Sequence, residues 1–322
     1  MLAVQATKTG GPEVLEVADL PIPEPGPGQI RVRHRAIGLN FIDTYQRSGL
    51  YPMHLPAVLG QEAAGVVDAI GPGVSDWALG DRVAYSGQIG AYAAFHVVAA
   101  DRAIRLPENI SFEIAAAALL KGMTTEFLLQ RCYPLKAGET ILVPAASGGV
   151  GTILVQWAKA IGAVVIGAVG SAAKADLARD NGCDHVILYR DEDMAARVRE
   201  ITEGRGVRIA YDSVGKDTFE GSLASLGRRG LFVSFGNASG PAPAVEPGRL
   251  MRMGSLFLTR PTLADYIATP EELAASAAAL FKVIASGAVK IEIGQTFPLT
   301  EARRAHVALE SRETIGASVL IP

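Results

Sequence analysis

Ile141-Leu142-Val143-Pro144-Ala145-Ala146-Ser147-Gly148-Gly149-Val150-Gly151 runs from a short apolar β-type stretch through small residues into a helical pattern from Thr152 to Ile161. A strand that turns into a helix in this way is a phosphate cradle. The first amides of a helix have no partner inside it, and the helix dipole adds partial positive charge there. At Ser147, Gly148, Gly149 and Val150 a pyrophosphate can approach the main chain, and Gly151 lets the helix close on its strand. The spacing is A-x-G-x-x-G, with Ala146 in the place of the first glycine. What surrounds the stretch decides between a cradle and a plain turn.

From Glu139 the chain alternates: strand 141–145, helix 150–161, strand 163–169, helix 172–181, strand 185–189, helix 192–202, strand 208–213, helix 217–226 and strand 230–235. Ser255 to Thr259 adds a sixth strand. That rhythm predicts an α/β fold with a doubly wound parallel sheet, and a doubly wound sheet binds its ligand at such a turn.

Upstream, residues 1–122 read mostly as β. Ile30-Arg31-Val32-Arg33-His34-Arg35-Ala36 alternates apolar and charged residues, and Pro21, Pro23, Pro25 and Pro27 break the chain before it. A small barrel-like domain is expected there. An alanine-rich helix starts at Ser111, and another at Thr124. Downstream, Thr269-Pro270-Glu271-Glu272 spells an N-cap, a first-turn proline and a capping-box glutamate, and Gly287 ends that helix. The tail from Ile291 to Ile321 falls outside the six-strand unit and is expected to complete the first domain.

With 322 residues, 49% of them hydrophobic and 20% charged, the chain has the composition of a soluble globular protein of about two domains. A net charge of −3 gives no field to attract nucleic acid or anionic membranes. Two distant cysteines and the lack of a signal-peptide core predict a cytoplasmic setting. Residues 140–158 carry no charge, yet the glycines and proline within them fit a strand-turn-helix rather than a membrane span.

Several stretches carry a family resemblance. They are Asn40-Phe41-Ile42-Asp43-Thr44-Tyr45, Arg47 to Pro52, Gly138 to Gly151, Tyr211 to Gly215, Ser234 to Asn237 and Leu309 to Arg312. Together they resemble the quinone oxidoreductase (zeta-crystallin-like) branch of the medium-chain dehydrogenase/reductase superfamily, and bacterial members most of all. The resemblance implies a Rossmann-type sheet (residues 123–262) inserted in a GroES-like catalytic domain (1–122) that residues 263–322 complete. It also implies transfer of reducing equivalents from NADPH to a quinone in an interdomain cleft, and a homodimer through the edge of the Rossmann sheet. Zinc-dependent relatives use a Cys and a Gly-His-Glu histidine as metal ligands; here Asn40 and Gln61 stand in those places, and neither is a zinc donor. No metal is expected.

NAD-binding units carry an acid about 20 residues past the glycine turn. Here the second strand ends Val169-Gly170-Ser171, with Lys174 following. A carboxylate would repel a 2′-phosphate, so the missing acid favours NADPH. The resemblance puts Lys174, Tyr189 and Arg312 at that phosphate, with Arg190 a solvated neighbour. It places Asn40, Asp43, Tyr45 and Tyr51 at the substrate and nicotinamide, with Thr124, Ser213, Phe235 and Asn237 along the cofactor. Two rival readings remain: an NADPH-dependent reductase of α,β-unsaturated carbonyls, and a crystallin-like or AU-rich-RNA-binding protein, which the acidic balance disfavours.

Overall fold

The computed structural model describes residues 1–311 and 314–322. It divides into two compact units: residues 1–123, 267–285 and 291–322, and residues 124–266 with 286–290.

The first unit is built on the strand Gln29–Leu39. Its alternation buries Ile30, Val32, His34 and Ala36 and turns Arg33 and Arg35 outward. From Ala36 the pattern stops alternating, and every residue through Asn40 is buried. This strand pairs antiparallel with Glu62–Ile70, with Phe95–Ala99 and with the tail strand Ala317–Ile321, so the C-terminal tail enters the same sheet. Tail residues Phe297, Leu299, Ala302, Ala305 and Leu320 share one core with Val4, Ile30, Tyr85 and Tyr92. The helix Pro270–Ala285 begins with the expected capping box: the Thr269 amide donates to Glu272 at 3.1 Å, and the Glu272 amide to the Thr269 hydroxyl at 3.3 Å.

The second unit holds a parallel sheet in the order His185–Leu188, Val164–Val169, Thr140–Pro144, Val207–Asp212, Leu226–Ser234, Phe257–Thr259. Strand order reverses between Thr140–Pro144 and Val207–Asp212, and ligands of such sheets bind at the carboxyl ends of the strands flanking that reversal. The two helices expected from Ser111 and Thr124 are one: Phe112–Glu126 continues into a π-helical turn, Phe127–Cys132. No breaker separates them. Gly122 lies inside the helix because a Cβ there would run into the Leu280 side chain. Among the described residues no helix is long and apolar enough to cross a membrane.

Candidate active site

The strand Thr140–Pro144 ends at Ala145, whose φ is 56°. This left-handed backbone costs a non-glycine residue on the order of 1–2 kcal/mol, and the small methyl group of alanine keeps the crowding low. The Ala145 carbonyl accepts from the Gly148 amide at 2.8 Å and closes the turn. A Cβ on Gly151 would run into the same oxygen, so the last glycine of the motif is dictated by close approach. The first bond of the helix Gly149–Ile161 runs from the Thr152 amide to the Gly148 carbonyl at 2.9 Å. The amides of Gly149, Val150 and Gly151 therefore stand outside the ladder at the mouth of the helix, beside buried Ser147. The unusual dihedral falls on Ala145, one residue before the fingerprint position at Ala146.

Further sequence-expected positions gather at the same carboxyl edge. Gly170 follows the strand Val164–Val169, Ser171 caps the helix Ala172–Asp180, and Lys174 sits half-buried in its first turn. A Cβ on Gly170 would stand 3.1 Å from the Tyr189 Oη and 3.4 Å from the Arg190 Nε. Arg190 is exposed, with its Nε beside the phenol over Gly170. Sequence reasoning had the cation in view without a means of aiming it. Arg312 lies outside the described residues.

Buried Asp212 organises the next loop. Its Oδ1 accepts from the amides of Val214 at 2.8 Å and Gly215 at 3.0 Å, and its Oδ2 accepts from the hydroxyls of Thr218 and Ser222 at 2.7 Å each. Ser213, carried on that loop, meets the segment after Ser234. The Ser213 carbonyl accepts from the Ala238 amide at 3.2 Å, and a Cβ on Gly236 would strike that oxygen. Ser213, Phe235 and Asn237 are thereby brought together. Thr124 is buried on the helix Phe112–Glu126.

In the first unit, Asn40 is the N-cap of the helix Phe41–Ser48, in extended backbone. Its amide nitrogen Nδ2 donates to the Glu62 Oε2 at 2.8 Å; the Lys121 Nζ lies 3.3 Å from the same oxygen, and the Leu120 amide donates to Oε1 at 2.6 Å. Glu62 is fully buried and Lys121 nearly so, which makes this an internal ion pair. Gly38 makes room for it, since a Cβ there would run into Glu62 and the Ala116 carbonyl. Sequence reasoning missed Gly38, Glu62 and Lys121. The signals were a glutamate directly after Gln61 and a lone lysine in an alanine-rich helix.

The Asp43 Oδ2 accepts from the Asn40 backbone amide at 2.9 Å and from the Tyr92 hydroxyl at 2.9 Å. Asp43 is fully enclosed and presents no surface of its own. Burial pushes its carboxyl up to about 7, against the lowering effect of its two donors. Tyr45 is buried and meets Tyr51 edge-on at 5.3 Å between ring centroids.

Known proteins agree with this architecture. Residues 26–108 match the alcohol dehydrogenase GroES-like domain, and residues 149–282 the zinc-binding dehydrogenase family. The chain is 54% identical to a quinone oxidoreductase of Pseudomonas aeruginosa, covering 99% of both chains. It is 41% identical to a 2-haloacrylate reductase of a Burkholderia species, covering 100% of this chain and 99% of that one. The structure of Escherichia coli quinone oxidoreductase complexed with NADPH superposes over all of both chains at a TM-score of 0.98, with 51% identity. Matched in sequence and in fold along its whole length, the chain belongs to the quinone oxidoreductase family of the medium-chain dehydrogenase/reductases.

Proposed function

We propose that this protein is a zinc-independent reductase that passes reducing equivalents from NADPH to a quinone. The carrying observation is the Asn40–Glu62–Lys121 cluster. Asn40 and Gln61 stand where metal-dependent relatives of this fold place a thiolate and an imidazole, and the Asn40 side chain is turned onto an internal ion pair instead. With no Lewis acid supplied by those residues, the acceptor itself must delocalise incoming charge, as a quinone does.

The dinucleotide, when bound, supplies a hydride. The chain's own groups then divide the work. The amides at Gly149 and Val150, with Ser147, hold the pyrophosphate over the turn that the Gly148 amide closes. Gly170 and Ser171 make room for the 2′-phosphate, and Lys174, Tyr189 and Arg312 bind it. Thr124, Ser213, Phe235 and Asn237 border the nicotinamide, while Asn40, Tyr45 and Tyr51 orient the acceptor and Asp43 holds Asn40. Likeness to a 2-haloacrylate reductase favours a second reading, reduction of a conjugated carbon–carbon double bond, which obeys the same charge-delocalising requirement.

Steady-state rates with a benzoquinone, a phenanthrenequinone and a simple enone, each with NADPH and NADH, test these readings. NADPH is expected to be preferred, and Lys174→Ala to raise its KM about tenfold with little effect on NADH. Equal use of the two dinucleotides, or an enone outpacing both quinones, would overturn the proposal.

The protein acts as a cytoplasmic homodimer. The free cysteines Cys132 and Cys183 support a reducing compartment. The strand Phe257–Thr259 ends the parallel sheet with Phe257 59% exposed, an edge suited to pairing with a second copy. Sedimentation of wild type at twice 33.7 kDa, and of Phe257→Asp at the single mass, is the expected result; a monomeric wild type would refute it.

A further inference from the structure

Four residues from three parts of the first unit form a hydrogen-bond chain whose direction can be worked out. Arginine only donates. The Arg47 Nη1 lies 2.9 Å from the His306 Nδ1, so that nitrogen carries no proton and accepts. The His306 proton then sits on Nε2 and is donated to the Tyr92 hydroxyl oxygen at 3.0 Å. The Tyr92 hydroxyl proton is left to go to the Asp43 Oδ2 at 2.9 Å. The chain runs one way, from Arg47, itself paired with Glu310 at 2.6 Å, to Asp43. Among the described residues the other Asp43 oxygen, Oδ1, is buried without a hydrogen-bond partner.

Most of the groups facing Asp43 are held in one protonation state. Burial and the Arg47 charge hold His306 neutral, at about 3. Burial, first of all, lifts Tyr92 well above its ordinary value. Lys121 attracts a charge on Asp43 and Glu62 repels it. The carboxyl of Asp43 is the one poised to change near neutrality. Its ionised form accepts the Asn40 amide as a charge-assisted bond, about twice as strong as the neutral equivalent.

We propose that Asp43 is the ionisable positioning residue of the reaction: its carboxylate, aligned by the donor chain Arg47–His306–Tyr92, clamps the Asn40 backbone, and taking up a proton on Oδ1 loosens that clamp. This rests on the reading that Asn40 orients the acceptor. Glu62, paired with Lys121, holds the Asn40 side chain, so Asn40 is fixed at two points, backbone and side chain. The tail helix Ala302–Glu310 takes part in setting the geometry through His306.

The test is kcat and kcat/KM against pH from 6 to 9, with the Asp43 carboxyl followed by carbon-13 NMR. Wild type is expected to gain activity through a midpoint near 7 that matches the NMR titration. Tyr92→Phe removes a donor to the charged form, so both midpoints should move up by about one pH unit. Asp43→Asn, of the same size, should flatten the profile at a rate about tenfold below the wild-type plateau. An activity profile without the step, or a step that Tyr92→Phe leaves in place, overturns the proposal. Unchanged turnover in Asn40→Ala with an intact Asp43 titration would instead sink the placement of the site, and this proposal with it.

Discussion

The two units carry their candidate residues in different material. In the second unit the cradle is main chain: a left-handed Ala145, three helix-mouth amides and a glycine whose missing Cβ admits a carbonyl. In the first unit the Asn40 region is side chain: a buried ion pair, a buried carboxyl and a directed chain through a histidine. Main-chain sites depend on steric fit over a few neighbouring residues. Side-chain sites depend on burial, and burial makes them sensitive to protons.

Breaking the main-chain half should give the larger effect. Gly151→Val would drive a branched side chain into the Ala145 oxygen. We expect NADPH affinity to fall at least about a thousandfold, roughly 4 kcal/mol, while the first unit keeps its fold. Gly148→Ala, whose Cβ would stand 3.2 Å from that oxygen, should be several-fold milder. Fluorescence titration with NADPH checks both, and equal losses would mean that close approach is not what the cradle requires.

Acid should sharpen the contrast by a smaller amount. Burial draws His34 and His306 down to about 3 and His96 to about 4, all three in the first unit. Freed by unfolding, they would bind protons below about 6.5, so the stability they contribute is complete above that pH and is lost as pH falls. Asp43, raised to about 7, has the opposite sign: it favours the fold in acid, and that contribution is lost as pH rises through 7. At roughly 1.4 kcal/mol per group and pH unit, the balance is a net loss of about 3 kcal/mol between pH 7 and pH 5. Hydrogen exchange at pH 5 should therefore open the first unit's core strands before those of the second. The reverse order would refute the contrast.

How much could be read in advance follows the same division. The cradle lies within eleven consecutive residues, and the alternation around it repeats a pattern of strand and helix, so both were legible. That Asn40 follows a strand was legible as well; that it starts a helix was not. The Glu62–Lys121 pair was not, because its members lie 59 positions apart and only a folded sheet and helix bring them together. The Arg47–His306 bond spans 259 positions. In the sequence His306 is an ordinary histidine, and nothing there marks Asp43 as the end of a donor chain.

The sequence by itself determined the doubly wound sheet, the phosphate turn, the absence of a thiolate and imidazole at Asn40 and Gln61, and the missing acid after Val169. Each follows from local sterics or from which chemical groups are present at all. Only the tertiary structure decided that Arg190 stands over Gly170, that a lysine pairs with Glu62 beside Asn40, and that a chain of donors ends on Asp43. Those facts depend on distance and on exclusion of water, and both arise only when segments far apart in the chain pack against one another.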